Sequence, residues 1–338
     1  MLASVFGNRW MAALAALVFG TVLALAILAG SGTNPFVAMA SLIHGSLAPE
    51  SLSDTINWAV PLVGMTLAAA IPLRAGIINL GGDGQLVAGG LVAALVAIYG
   101  PQMGALTTAL AVLAAIVAGG LVALVAALGE TKFRIPLLIS SLLLSYPIVG
   151  VASYLVTTPL ADVGSGLAQT VQVPEAVRLG LLGGSVNAGA ILILLICVAV
   201  VVIDRFTVFG MHVQVQGRNS KFALYSGVNT EAQTLQLMAA GGAIAGLVGG
   251  VLVLGSFYRF IDGALLTPGY TYSGLMAALV GNGHPLLSIV TALFFSALQT
   301  GGFAMQRATG VPRVFTTMMQ AAVVLVLTLK PGKHESHD

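Results

Sequence analysis

The stretch Ala105-Leu-Thr-Thr-Ala-Leu-Ala-Val-Leu-Ala-Ala-Ile-Val-Ala-Gly-Gly-Leu-Val-Ala-Leu-Val-Ala-Ala-Leu128 runs for 24 residues without a charge. A helix needs about 20 apolar residues to cross the hydrocarbon core of a bilayer. A transmembrane β-strand would alternate apolar and polar residues over about ten positions, and this stretch does not alternate. It therefore predicts a membrane-spanning α-helix.

The composition of the whole chain agrees with this interpretation. Of its 338 residues, 58% are hydrophobic and only 7% are charged, against roughly 25% charged residues in an average soluble domain. The mean hydropathy is +1.01 and the net charge is +2. These values exclude a soluble enzyme, a nucleic-acid-binding domain and a disordered chain. They predict an all-α, polytopic membrane protein whose surroundings are lipid.

Ten apolar segments of the chain are candidate spans. They are 10–30, 56–73, 77–98, 104–128, 136–157, 186–203, 233–254, 270–282, 286–303 and 313–330. The eighth segment is short, so both a full span and a re-entrant half-helix stay open. With the N-terminus inside, nine Lys and Arg residues fall on the inner side and four on the outer side, as the positive-inside rule expects. We therefore expect cytoplasmic termini, a single membrane domain over 1–338, and a flexible cytoplasmic tail at 331–338.

No catalytic or metal-binding motif is visible in the sequence. The chain has no phosphate-binding Gly-x-x-x-x-Gly-Lys-Ser/Thr loop and no His-Glu-x-x-His pair. His44, His212 and His284 fall in three different predicted loops. We expect no enzymatic activity, no metal and no cofactor in this chain. A polytopic bundle of this kind is typical of a transporter, a channel or a subunit of one.

The stretch 74–85 interrupts the apolar pattern with glycines and polar side chains. These residues are Gly76, Gly81, Gly82, Gly84, Asn79, Asp83 and Gln85. Glycine permits close helix approach or a helix break, and broken helices at membrane depth line protein-enclosed cavities. Asn79, Asp83 and Gln85 either contact a polar solute on a translocation path or staple two helices together, and both interpretations stay open. We expect Asp83 near the inner end of the third segment.

Two hydrophilic stretches, 31–55 and 158–185, are predicted on the outer side. They are mildly amphipathic, and we expect them to form short helices lying on the outer face.

The stretch 204–231 is the longest hydrophilic segment predicted on the inner side. The sequence predicts a short helix over 221–226, capped by Asn219 or Ser220 and ended by Gly227. Its exposed apolar side chains would be Phe222, Leu224 and Tyr225. They would either dock into a groove on a soluble partner or rest on the membrane surface as an amphipathic connector.

At these residues the sequence resembles the permease subunits of bacterial ABC importers that serve simple sugars, nucleosides and branched-chain amino acids. Ile78–Gln85 is similar to the family pattern Phe-Asn-Ile-Gly-Ala-Glu-Gly-Gln, and Gly217–Asn229 is similar to Gly-x-Asn-x-x-Ala-Ala-x-x-x-Gly-Ile-Asn. Gly269–Pro285 matches a third motif, and Ala304–Pro312 looks most like the nucleoside-type branch. The likeness runs from about residue 34 to 330.

The resemblance implies a permease of about ten helices in the vitamin-B12-importer-like (type II) class, in the bacterial inner membrane. Its partners would be ATP-binding cassette ATPase subunits that carry ATP and Mg²⁺, a second permease chain (identical or different), and a periplasmic or lipid-anchored solute-binding protein. Asn79, Asp83 and Gln85 would lie near the translocation path. The ATPase coupling residues would be Gly217, Arg218, Asn219, Lys221, Phe222, Tyr225 and Gly227.

Two departures from the family pattern bear on the solute and on the ATPase contact. Pro136–Tyr146 lacks the usual Asn and Glu, and Ser145 stands where a later Asn is usual. Val213–Gln216 replaces an Arg-rich stretch. We expect a nucleoside permease, with a simple-sugar permease as the alternative. A stand-alone carrier or channel is the alternative from another class, although carriers usually show several buried charges.

Overall fold

The computed structural model describes residues 34–328, and this part of the chain is almost entirely helical. Its α-helices are α1 Pro35–Leu47, α2 Leu52–Arg74, α3 Gly82–Tyr99, α4 Ala105–Phe133, α5 Leu137–Thr157, α6 Gly189–Phe206, α7 Val208–Arg218, α8 Ser220–Tyr225, α9 Thr230–Leu252, α10 Tyr270–Val280, α11 Pro285–Thr309 and α12 Val314–Thr328. A 3₁₀ turn at Glu175–Val177, two short strands (β1 Leu181–Leu182 and β2 Val186–Asn187) and a π-helical turn at Val253–Phe257 complete the regular structure of the described part.

Seven of the described helices are long and apolar enough to cross a bilayer: α2 to α6, α9 with its π-helical turn, and α11. They confirm the predicted all-α membrane architecture. The predicted span 10–30 and the predicted tail 331–338 lie outside the described residues. The total of ten spans, the type II class and the single domain over 1–338 stay predictions.

Three other predicted features take a modified form. The segment 77–98 becomes helical only at Gly82, and residues 77–81 before it are not helical. The short segment 270–282 is an 11-residue helix, α10, which is half the length that a span needs. The predicted outer stretch 31–55 contains α1, whose first turn is capped by the Asn34 side-chain oxygen accepting from the Phe36 amide at 3.0 Å.

The compact unit formed by residues 56–293 is built around α9. In the most apolar window of α9 and its π-helical turn, 83% of the residues are buried inside the protein, against 11% in α6. Apolar side chains cover α6 on nearly all sides, which is typical of a helix facing lipid rather than protein. The helices that pack on α9 are α3 and α4.

Glycine permits these three helices to approach at backbone contact. A Cβ on Gly246 of α9 would overlap the Ala115 carbonyl oxygen of α4 and lie 2.9 Å from the Gly119 Cα. A Cβ on Gly89 of α3 would overlap the Gly246 backbone. Close packing of small residues is a major source of helix association in lipid, where the hydrophobic effect no longer drives it.

The second compact unit comprises residues 34–55 and 294–328 within the described chain. In it, α1 packs on the later part of α11, where a Cβ on Gly45 would overlap the Ala304 side chain. A Cβ on Gly302 of α11 would lie 2.6 Å from the Thr316 Cγ2 atom of α12. The Gln320 amide donates to the Phe295 carbonyl oxygen at 3.3 Å.

The predicted outer stretch 158–185 forms a small hairpin rather than surface helices. Strands β1 and β2 pair antiparallel, with Leu182 opposite Val186. Gly183 and Gly184 in the turn have φ values of +60° and +84°, which a residue with a Cβ rarely adopts. The turn therefore depends on glycine, which explains why the apolar, mildly amphipathic sequence before it does not continue as a helix.

We expect Gly246→Val to prevent stable folding, because a branched side chain cannot fit between α9 and α4. The loss of stability should be at least roughly 1–3 kcal/mol, the usual cost of overpacking. Gly150→Val in α5 is the control, since a Cβ there meets nothing within 4 Å. The measurement is the thermal midpoint of the purified protein in detergent by fluorescence-detected size exclusion. Equal midpoints for the two variants would contradict this account of the packing.

Candidate functional site

Residues 77–81 join α2 to α3 without forming a helix. We name residues 77–85 the crossing segment. Its polar side chains are arranged by one reciprocal amide pair: the Asn79 Nδ2 atom donates to the Gln85 Oε1 atom at 3.0 Å, and Gln85 Nε2 donates to Asn79 Oδ1 at 3.2 Å. Asn79 Oδ1 also accepts from the Gly81 amide at 2.9 Å. Both side chains are almost fully buried.

Two serines of α5 support the same segment from the other side. The Leu80 amide donates to the Ser141 hydroxyl at 3.2 Å, and the Gly84 amide donates to the Ser145 hydroxyl at 3.3 Å. A Cβ on Gly84 would lie 2.7 Å from the Ser145 Cα, so α5 approaches α3 at backbone distance. Ser145, which replaces the Asn usual in the resembling family, therefore binds the start of α3.

The half-helix α10 fixes the depth of the crossing segment. It runs parallel to the second half of α2, because Gly274 packs against Met65 and Gly283 packs against Arg74. Gly82, the first residue of α3, also packs against Met65, with its Cβ position 3.2 Å from the methionine Cε. Met65 lies nine residues before Arg74, or about 13 Å along the helix.

The start of α3 is therefore level with the middle of α2, about half a span from Arg74 at the end of that helix. Asp83 lies in the first turn of α3, at the beginning of the helix that the third segment forms. Residues 77–81 before it are not helical, so this helix begins only at Gly82, and the expected position of Asp83 near the inner end of the segment stays a prediction.

A polar and aromatic group surrounds Asp83 at this depth, and we name it the Asp83 cluster. Its other members are Thr271 and Tyr272 from α10 and Tyr146 from α5. The Asp83 side chain is half-buried and lies beside the Thr271 hydroxyl, and the Tyr272 hydroxyl is within electrostatic reach of both Asp83 and Tyr146. Tyr272 is 54% exposed and Tyr146 is 65% exposed.

The predicted coupling residues lie on helices α7 and α8, beside the C-terminal end of α2. Gly217 and Arg218 end α7, and the Asn219 side-chain oxygen caps α8 by accepting from the Phe222 amide at 3.0 Å. The helix predicted over 221–226 is confirmed within one residue, and Gly227 has φ +84°. The exposed side chains here are those of Arg218, Lys221, Phe222, Leu224 and Tyr225, the last of them 88% exposed.

A close backbone contact joins this pair of helices to the crossing segment. A Cβ on Gly217 would overlap the Arg74 carbonyl oxygen and lie 3.2 Å from the Ala75 Cα. The Arg74 guanidinium also pairs with the Asp204 carboxylate at the end of α6, at 3.0 Å and 3.3 Å. The Gln214 amide of α7 donates to the Asp204 carbonyl oxygen at 2.9 Å. Helices α2, α6 and α7 thus meet at Arg74, three positions before the crossing segment.

A cavity of about 260 Å³ opens at this corner. Its lining residues are Arg74, Val201, Asp204, Arg205, Gln214, His284, Pro285 and Leu286. Burial lowers the pKa of His284, and the neighbouring Arg74 guanidinium lowers it further. His284 is therefore neutral at pH 7, and its buried Nδ1 atom has no hydrogen-bond partner in the described part of the chain.

Comparison with known proteins gives this architecture a family. A family model described as "Branched-chain amino acid transport system / permease component" matches residues 51–328. The chain belongs to this permease family. It is 30% identical over 335 residues to the glucose ABC transporter permease protein TsgB13 of Haloferax volcanii, covering 95% of the chain and 87% of the relative.

Two further relatives are named for solutes other than glucose. The permease is 27% identical over 320 residues to the probable riboflavin import permease protein RfuC of Treponema pallidum, covering 93% and 84% of the two chains. It is 25% identical over 330 residues to the nucleoside ABC transporter permease protein NupB of Lactococcus lactis, covering 94% and 90%. The permease is thus a multi-pass membrane subunit of the ABC importer class, as the resemblance implied.

Sequence reasoning located two regions of the permease and missed what connects them. Asn79, Asp83 and Gln85 share one segment, and residues 217–227 share another, as expected from their proximity in sequence. It did not find Thr271, Tyr272 or Tyr146 beside Asp83, although the first two lie in a stretch that carried the resemblance and Tyr146 ends a stretch that departs from it. It also missed α7, because Val213–Gln216 alternates apolar and polar residues like a strand.

We expect Asn79→Ala and Gln85→Ala each to destabilise the permease by about 1–3 kcal/mol, because each leaves a buried amide unpaired. The double variant should cost clearly less than the sum of the two, since it removes both partners. Unfolding in detergent under increasing denaturant measures the three losses. Strict additivity would contradict the reciprocal pair.

Proposed function

We propose that this permease moves a neutral, hydroxyl-rich solute, of the nucleoside class, past the Asp83 cluster. ATP hydrolysis on separate ATPase subunits would drive the movement through residues 208–227. The observation that carries the proposal is the backbone contact of Gly217 with Arg74 and Ala75, because it joins an exposed helix pair to the base of the crossing segment.

The solute class is supported by the relatives taken together. Glucose, riboflavin and ribonucleosides are uncharged and carry hydroxyl groups on neighbouring carbons. A path for such solutes needs hydrogen-bonding groups at the middle of the membrane and little net charge. The Asp83 cluster supplies one carboxylate and three hydroxyls at that depth. A simple sugar remains the alternative solute, because it shares the same groups.

The coupling role is supported by exposure and charge. Arg218, Lys221, Phe222 and Tyr225 project from α7 and α8 without being needed for packing within the described residues. Arginine and aromatic side chains are enriched at the centres of protein interfaces. We propose that the ATPase binds here, that Gly217 and Asn219 shape the helix junction, and that Gly227 ends it.

The remaining assignments complete the proposal. A second permease chain, identical or different, would close the path, and a solute-binding protein outside the membrane would deliver the solute. ATP and Mg²⁺ would bind to the ATPase subunits. The permease would lie in the cytoplasmic membrane with both termini inside, since Arg74, Arg205 and Arg218 collect at one end of the helices.

We expect ATP-dependent uptake of guanosine by liposomes that contain the permease, its ATPase, its partner permease and its binding protein. Liposomes that contain the permease alone should show no uptake. Omitting ATP and replacing the ATPase with an inactive variant are the controls. Uptake by the permease alone, without ATP, would instead support the stand-alone carrier or channel.

We expect Arg218→Glu with Lys221→Glu to lower ATP-dependent uptake by roughly tenfold or more, because reversed charges oppose a complementary ATPase surface. The matched control is Lys132→Glu with Arg134→Glu, a second double reversal of exposed residues outside the coupling segment. Uptake and co-purification of the ATPase are measured for both. Unchanged uptake by the first variant would remove the coupling assignment.

A further inference from the structure

The Asp83 cluster presents polar groups to the outside of the larger unit at a depth where lipid would not solvate them. Its position is level with Met65 at the middle of α2. Charged and hydroxyl groups at this depth normally face a water-filled cavity or another protein surface. Tyr146 and Tyr272 are each more than half exposed, so both rings are accessible from outside the larger unit.

The Asp83 carboxylate lacks a cationic partner among residues 34–328, in contrast to Asp204, which Arg74 neutralises. Two features hold it in place instead. It lies in the first turn of α3, where the helix dipole favours a negative charge. The Gly81, Gly82 and Gly84 positions bring the backbones of α5 and α10 against the same turn.

The side chain next to it is also incompletely bonded. The Thr271 hydroxyl oxygen is buried and has no hydrogen-bond partner within the described residues, and Thr271 is only 7% exposed. The Thr271 hydroxyl lies close enough to the Asp83 carboxylate to interact with it, although no hydrogen bond between the two meets standard geometry. A buried hydroxyl without a partner costs free energy unless a ligand or water completes it.

We propose that the Asp83 carboxylate accepts hydrogen bonds from two hydroxyls on neighbouring carbons of the solute, while Tyr272 and Tyr146 pack on the face of its ring. This inference rests on the proposed function and adds to it the residues that select the solute. An ionised carboxylate only accepts hydrogen bonds, so it favours a group that offers two donors side by side. Tyrosine rings stack on flat or ring-shaped solutes and keep a hydroxyl for a further bond.

The arrangement predicts discrimination at the sugar and not only at the base. A solute that lacks one of the two hydroxyls would leave a carboxylate oxygen without its bond at a poorly hydrated depth. A site built around such a bond rejects the deoxy analogue more strongly than a hydrophobic pocket rejects a missing methylene group. The contribution of Asp83 to selectivity is therefore measured as the ratio between uptake of a solute and uptake of its deoxy analogue.

The test compares uptake of guanosine with 2′-deoxyguanosine, and of uridine with 2′-deoxyuridine, by the complete importer, because each deoxy analogue lacks the only pair of hydroxyls on neighbouring carbons. Every variant is assembled with the same binding protein at saturating concentration, so that a change in ratio originates in the permease. We expect Asp83→Asn to lower the hydroxyl-to-deoxy uptake ratio by roughly tenfold, because the amide offers only one acceptor oxygen. Asp262→Asn is the matched control, since Asp262 lies outside the Asp83 cluster and its carboxylate accepts from the Ser153 hydroxyl at 2.9 Å.

Tyr272→Phe and Tyr272→Ala separate ring packing from the hydroxyl. We expect the alanine variant to lose uptake of both members of a pair and the phenylalanine variant to retain most of it. Thermal midpoints and recovery of the assembled complex show whether each variant still folds and assembles.

The outcomes separate this inference from the proposed function. Uptake with a ratio that Asp83→Asn leaves unchanged, or an equal loss of both members of a pair, overturns the role of Asp83 alone. Loss of the partner permease from the Asp83→Asn complex also overturns it, because the residue would then serve the contact between chains. Uptake of none of the four compounds by the wild-type importer contradicts the proposed solute class itself.

Discussion

A non-helical backbone within a membrane-spanning region must find all its hydrogen bonds within the protein, because lipid offers none. Residues 77–81 meet this requirement with side chains rather than with a helix or a sheet. The Asn79 and Gln85 amides bond to each other, Asn79 accepts from the Gly81 amide, and two serines of α5 accept from the backbone. Each donor left unbonded at this depth would cost several kcal/mol.

The same constraint determines which helices surround the crossing segment. Because its donors need partners within about 3 Å, α5 and α10 must approach the backbone closely, and glycines at 81, 82 and 84 leave the room. The half-helix α10 begins where α3 begins, so both helix N-termini lie at one depth. A carboxylate in the first turn of α3 is compatible with that environment, whereas a cation there would be repelled.

The close packing around the crossing segment has a mechanical consequence at its N-terminal end. Side chains are held by rotatable bonds, but the contact of Gly217 with Arg74 and Ala75 is between backbones. Any displacement of α7 must therefore either separate this contact or move the residues that lead into 77–81. Alternating access requires such a link between an energy-using partner and the solute path, since a conformational change needs a differential contact in its two states.

Whether a feature of this structure could be predicted from the sequence depends on how far apart its residues lie in the chain. Apolar runs such as Ala105–Leu128 predict their spans, because a span is a local property of about 20 residues. The Asn79 and Gln85 pair and the Asn219 cap are also local, because their partners lie six and three positions apart in the chain. The Asp83 cluster is not local: Thr271 lies 188 positions after Asp83, and only the parallel packing of α10 on α2 brings them together.

The length of the eighth segment left open whether α10 is a full span or a half-helix, and the sequence gives no sign of which helix it accompanies. That neighbour is decided by glycine positions on both surfaces, and a glycine in an apolar run predicts a close contact without naming its partner. The depth of Asp83 follows from the same contact. A single carboxylate is costly at the middle of a membrane, and two helix N-termini reduce that cost only when the second helix is half a span long. The short length of α10 is therefore what lowers the cost of a carboxylate at position 83.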